Sequence, residues 1–237
     1  MSKYANLLIL LALPLASYAQ SSGNSEVGRT LSGDFNNGYA MAPPEAAGIQ
    51  GSAFLLPGWA AGKLQLNGNS KVYIMPLKYD IYNMELRAKR PKGDSVVVPL
   101  MRVKEFSLEE RRFACYPAAT LPVDVKGGCG EVLYDGPALQ LLKFQRKEIV
   151  KRRAEDGGYA SNTTISILEE QTRYYLRWAA DGHFSAVKPK RASLEQALAS
   201  QPAALAALKA RKGAIGNEAE LAAALADIAS SLTTPGK

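Results

Sequence analysis

The chain has 237 residues, 47% of them apolar and 22% charged, with a net charge of +7. A chain of this length buries about 70% of the surface its unfolded form exposes, so one large domain, alone or with a small appendage, is expected. One histidine and two cysteines do not supply the clustered ligands a metal centre needs, and beyond the N-terminal run no segment is long and apolar enough to cross a membrane as a helix.

Lys3 precedes an apolar run from Leu7 to Leu15, broken only by Pro14. Ser17 and Ala19 stand at the −3 and −1 positions of a small-residue cleavage site, with Gln20 as the first mature residue. Residues 1–19 therefore read as a secretory signal peptide. No cysteine lies at the cleavage site, so a lipid anchor is not expected. The mature chain is expected in a periplasm or outside the cell. Residues 20–50 are rich in Gly, Ser, Asn and Pro and have no apolar period, which marks a flexible leader.

Strand signals occupy residues 51–190. Lys63 to Leu66 alternates and is followed by Asn67-Gly68, a hairpin-turn pair. Met75, Leu77, Tyr79 and Ile81 recur with period two and so share one face. Met84, Leu86 and Ala88 continue the pattern, and Arg90 to Asp94 is a turn cluster. Further strands are expected at Val96–Val98, Val103–Leu108, Phe113–Tyr116, Val132–Tyr134 and Leu139–Val150, with Asp135-Gly136 turning between the last two. Thr164–Leu168 forms another, and Thr172–Trp178 pairs with His183–Val187 across an Asp181-Gly182 turn. The Gly127 to Gly130 run reads as a flexible loop. No helical crossover interrupts this region, which argues against a parallel sheet.

After Lys190 the composition shifts to Ala, Leu and Glu. Ser193 with Gln196 has the spacing of a capping box. Pro202 opens a second helix that Gly213 stops, and Asn217 with Glu220 caps a third. Leu221, Leu225, Ile228 and Leu232 form one apolar stripe on that third helix. The fold expected is mainly β: an antiparallel meander, or a curled and partly closed barrel, of about ten strands. A three-helix appendage follows over residues 191–232, α+β overall, with a disordered tail over residues 233–237.

The segments GSAFLLPGWAAGKLQLNGNSKVYIMPLKYDIYNMEL, RYYLRWAADGHFSAV and KPKRASLEQAL resemble an uncharacterised family of exported bacterial β-rich proteins with a helical C-terminal tail. The resemblance runs from about Gly51 to Leu232. It implies a strand meander, a Tyr-Tyr-Leu hairpin and a helical tail. That family has no assigned activity, so the resemblance assigns no residue a role.

Cys115 and Cys129 are candidates for a disulfide in an exported chain, closing a loop between two strand-like runs. No serine lies in a nucleophile elbow, and no glycine-rich phosphate loop is present. His183 reads as a turn residue rather than a ligand. Glu109-Glu110 and Glu169-Glu170 are the carboxylate pairs, but neighbours on a strand point to opposite faces, so neither pair shares a site. Asn162 to Thr164 matches a glycosylation sequon. Arg173, Tyr175 and Arg177 lie on one strand face, opposite Tyr174, Leu176 and Trp178. An exposed Arg–Tyr–Arg face can stack on and pair with an anionic polymer. Elsewhere the basic residues are interleaved with acids, as in Arg146-Lys147-Glu148, so the net charge as a whole reads as an aid to solubility rather than as a binding surface.

The function expected is a non-catalytic binding or interaction module of the cell envelope, without cofactor or metal. Its partner would be an envelope protein or an anionic envelope polymer, not nucleic acid. The alternatives are a carrier of a small apolar or glycan ligand in a β cavity, and a carboxylate-based hydrolase of envelope polymers.

Overall fold

The computed structural model describes residues 49–125, 127–153 and 164–232. The signal segment with its Ala19–Gln20 cleavage site, the leader up to residue 48, Asn162, Thr163 and residues 233–237 lie outside the described residues.

The period-two runs form eleven strands: β1 (Ile49–Gln50), β2 (Ala60–Leu66), β3 (Val72–Asp80), β4 (Glu85–Lys89), β5 (Ser95–Val98), β6 (Val103–Leu108), β7 (Arg111–Cys115), β8 (Cys129–Asp135), β9 (Leu139–Arg153), β10 (Thr164–Trp178) and β11 (Phe184–Val187). They belong to one mixed, unclosed sheet in the order β1-β10-β9-β8-β7-β6-β2-β3-β4-β5, and β11 lies off this path, paired with β10. Two antiparallel meanders, β2 to β5 and β6 to β11, are thus joined where β2 pairs with β6.

One strand departs from the antiparallel expectation. β1 runs parallel to β10, with Ile49 opposite Ser166 and Gln50 opposite Ile167. A local crossover helix is not needed, because the whole of the intervening sheet connects the two strands. Ile49 and Gln50, the described residues of the segment read as leader, thus belong to the sheet.

The first meander curls. Laid flat, β5 and β6 would be about 19 Å apart across four strand spacings. Yet Val98 and Val103 are joined only by Pro99 and a 3₁₀ turn at Leu100–Arg102, which reaches about 13 Å. Bending the sheet closes the difference and encloses the first core. Leu64, Tyr73, Leu77, Tyr79, Leu86, Val98, Phe106 and Leu108 are buried there. The Tyr79 ring meets Phe106 and Phe113 edge-on, at 5.3 and 6.0 Å between centroids. Met75, Leu77, Tyr79 and Ile81 are all buried, as their spacing requires.

The second half is built on the long β9–β10 hairpin, whose register runs unbroken from Leu139↔Trp178 to Arg153↔Thr164. The sequence reads two strands, 164–168 and 172–178, where the chain forms one. The polar Glu169-Glu170-Gln171 step stays in the ladder: Glu170 stands opposite Lys147, where opposite charges stabilise, and the facing Glu169 and Glu148 are each neutralised by an arginine, Arg152 and Arg146.

One face of this hairpin carries three helices: α1 (Arg191–Ala197), α2 (Pro202–Ala210) and α3 (Glu218–Asp227). Helices this short do not stand alone in water. They bury Leu194, Leu198, Leu208, Leu221 and Leu225 in one core with Leu139, Leu141 and Leu176 of the sheet. Each such side chain contributes roughly 1.5–3 kcal/mol on full burial. Glu218 fastens α3 by accepting from the Tyr174 hydroxyl at 3.1 Å and pairing with Lys143 at 2.8 Å.

The helix signals hold in part. Pro202 stands in the first turn of α2, and Asn217 Oδ1 accepts from the Glu220 N–H at 2.9 Å. Ser193 is not the cap of α1. Lys190 occupies that position, and Ser193 Oγ accepts from the Lys188 N–H instead.

The other face is covered by Tyr116, Leu121 and Val125 of the connection between β7 and β8. Cys115 and Cys129 stand opposite each other in the β7–β8 ladder and form a disulfide at the base of this loop. Cys129 and Gly130 begin β8 rather than continue a flexible loop. A side chain at Gly130 would meet the Phe144 ring at 2.9 Å, so the strand needs glycine there.

Candidate functional site

The period of β10 decides what each of its residues offers. The Trp178 N–H donates to the His183 carbonyl, so the backbone groups of even-numbered β10 residues face β11 and the outer edge. Side chains divide the other way, between the two faces of the sheet. Tyr174 and Leu176 point to the helices. Arg173, Tyr175 and Arg177 point to the disulfide loop, which sorts the faces as the sequence did.

That loop changes what the Arg–Tyr–Arg face can do. Tyr175 is 3% exposed and packs on Phe144 and Phe184, whose ring centroids are 5.9 and 6.3 Å away. Its hydroxyl donates to Asp124 at 2.6 Å. Arg173 pairs with the same carboxylate. Arg177 is drawn away, its guanidinium 5.0 Å from the centroid of Tyr116. The three residues therefore do not form one open patch. Two share Asp124, and the third braces the loop.

Asp124 is held below the usual carboxylate range by the Tyr175 hydroxyl first and by Arg173 as well, against a smaller opposing effect of burial. Burial and the bond to Asp124 push the Tyr175 hydroxyl up to about 12. At neutral pH the group is a neutral tyrosine, an ionised aspartate and a guanidinium.

These residues form one wall of an open cleft of about 500 Å³. The cleft is lined by Thr172 to Tyr175 of β10, by Ala186 to Lys190 with Ser193, and by Asp124. Arg173, Lys188 and Lys190 make it basic, with Asp124 the single acid among the lining residues. Lys188 and Lys190 are exposed and form no ion pair among the described residues. Reasoning from sequence found Arg173 and Tyr175 but missed Asp124, Lys188 and Lys190. The available signal was Lys188-Pro189-Lys190 directly after a strand.

Why the cleft exists is local. β11 leaves β10 after the Tyr174↔Val187 pair. In a continued register Pro189 would oppose Thr172, and proline has no N–H to donate. At the other end Gly51, with φ +104°, turns the chain away beside Leu168. The edge of β10 between these points carries no strand among the described residues.

Glu109 and Glu110 form the turn between β6 and β7, with Glu109 at φ 55°, and do not lie on a strand. They border a second open groove of about 430 Å³ that also holds Glu105, Lys63 and Arg112, with Glu105 paired to Arg112 at 3.2 Å. Glu169 pairs with Arg152 at 3.0 Å, and Glu170 accepts from Gln145 at 2.6 Å. His183 lies exposed between the hairpin turn and β11. The buried carboxylates are structural. Asp80 caps the turn after β3, and Glu131 binds Arg111 through both oxygens at 2.7 and 2.8 Å. No group of His, Cys, Asp and Glu that could hold a metal ion occurs among the described residues.

Comparison with known proteins finds no family model, no curated protein and no solved structure that matches this chain.

Proposed function

We propose that this protein is an exported, non-catalytic binding module of the cell envelope that holds another envelope component in the basic cleft beside β10. The observation that carries this reading is the cleft itself. Its volume of about 500 Å³ lies within the ~300–1,000 Å³ typical of ligand sites. Its cations Lys188 and Lys190 have no ion partner among the described residues. The signal-like first nineteen residues support export, and the Cys115–Cys129 disulfide suits an oxidising compartment. No described helix is long and apolar enough to cross a membrane.

The carrier alternative finds less support. The inside of the curled sheet is filled by Tyr73, Tyr79, Phe106 and Leu64. Hydrolysis by two carboxylates has only Asp124 to use in this cleft.

The test is photo-crosslinking in intact cells, with a photoreactive amino acid in place of Thr172 and mass spectrometry of the purified adduct. A recurrent envelope component in stoichiometric amount is the expected result. Recovery of the chain alone, from this position and from Ala186, would overturn the reading.

A further inference from the structure

The open edge of β10 and the basic cleft at its end are continuous, and together they specify a kind of partner. Glu170 and Thr172 are the even-numbered residues between the Gly51 turn and the last β11 pair. Their N–H and C=O groups therefore face outward, with no strand to meet them among the described residues. From Leu168 to Arg173 the gap measures about 17 Å, the length of a five-residue strand. An edge of this kind accepts an extended peptide through main-chain hydrogen bonds. A glycan has no backbone to enter such a ladder.

Charge sets the direction. At the β1 end Glu169 is already paired with Arg152 and Glu170 accepts from Gln145, and at the β11 end Arg173 is paired with Asp124, which leaves Lys188 and Lys190 of the β11 end as the charges without an ion partner among the described residues. A free C-terminal carboxylate is favoured at the basic end. A peptide so placed runs from β1 toward β11, parallel to β10, in the direction β1 already takes.

We propose that the edge of β10 between β1 and β11 binds the C-terminal segment of an envelope protein as an added parallel strand, its carboxylate held in the cleft by Arg173, Lys188 and Lys190. The proposal rests on the binding-module reading and names its partner class. Asp124 occupies Arg173 in the free protein, so the incoming carboxylate meets Lys188 and Lys190 first.

The test uses the intact chain and random octapeptides with free C-termini, selected on it and then measured by fluorescence anisotropy. Amidating the C-terminus of a selected peptide is expected to weaken binding about tenfold, as is the double variant Lys188→Glu, Lys190→Glu. Thr172→Pro removes an outward N–H and leaves every bond to β9 in place, so it should fold and abolish binding. N-methylation of alternate peptide residues tests the same ladder without altering the protein. It should abolish binding in one parity and spare the other. Selected peptides that tolerate amidation and either parity of N-methylation would overturn the proposal. So would a selection that yields no peptide while polygalacturonate or polyphosphate binds and is lost in the lysine double variant, which marks a polymer site. A protein crosslinked at position 172 in cells, with no octapeptide bound, leaves the binding module standing and removes strand addition.

Discussion

Tyr79 should be more useful to the fold as phenylalanine. Its ring is 2% exposed, and its hydroxyl is buried with no hydrogen-bond partner among the described residues. Burial, with a smaller contribution from the neighbouring Asp80 charge, pushes that hydroxyl well above the ordinary tyrosine range, so it stays protonated. An unpaired buried hydroxyl costs about 1–3 kcal/mol relative to water. Tyr79→Phe removes that penalty and keeps the edge-on contacts with Phe106 and Phe113. The void left by one oxygen costs roughly 0.3 kcal/mol at about 24 cal/mol per Å³. The net expectation is a gain of about 1–2 kcal/mol, or a rise of about 2–8 °C in Tm for a domain of this size. Urea unfolding followed by far-UV circular dichroism reads it as a higher midpoint with unchanged slope. Tyr79→Leu, which loses both ring contacts, should be destabilised in the same assay. A Tyr79→Phe protein less stable than the parent by 1 kcal/mol or more would refute the reasoning, because the hydroxyl would then be making a bond that holds the core.

Three further outcomes follow from named contacts. Cys115→Ser with Cys129→Ser frees a 15-residue loop and should lower stability by about 3 kcal/mol in the chain-entropy account, read as a lower urea midpoint. An unchanged midpoint would mean that Asp124, Tyr116 and Val125 hold the loop by themselves. Asn217→Ala removes the bond to the Glu220 N–H at the start of α3 and should cost about 1 kcal/mol, whereas Asn217→Asp keeps the acceptor and should restore it. Acid should loosen the second half of the fold. Burial works to raise the Glu218 carboxyl, but Lys143 and Tyr174 outweigh it and hold it below its ordinary value. A lowered carboxyl contributes stability above its unfolded pKa and loses it as pH falls through the folded one. Urea midpoints should therefore decline below about pH 4.5, and less so in Glu218→Gln; an equal decline in both would remove Glu218 as a cause.

Much of this molecule is legible in the order of its residues. Period-two runs such as Met75 to Ile81 mark strands because a pleated chain sends alternate side chains to opposite faces. Gly68 and Gly182, at φ +72° and +71°, mark turns because only glycine enters that region freely. Pro202, Asn217 and the Leu221 and Leu225 part of the stripe mark helices by capping and by period, whereas α3 ends at Asp227 and Ile228 and Leu232 are buried beyond it. The split of β10 into a Tyr174/Leu176 face and an Arg173/Tyr175/Arg177 face also follows from spacing alone. Those signals are local, set by a residue and its near neighbours.

What tertiary structure decided is who meets whom. The Glu169 to Gln171 step looks like a break until Arg146 to Glu148 lie across from it. β1 pairs with a strand more than a hundred residues away, so no local pattern announces it. Ser193 has the spacing of a cap, yet it takes the Lys188 N–H because the end of β11 brings that group within reach. The cleft is decided in the same way. Arg173 and Tyr175 are visible in sequence, but Asp124 reaches them from a loop that is closed by the disulfide and lies over the sheet, and Lys188 and Lys190 stand beside them where the β11 ladder ends at Val187. Local sequence fixes the conformation of each segment, whereas pairing across the chain depends on how the whole apolar surface is buried at once.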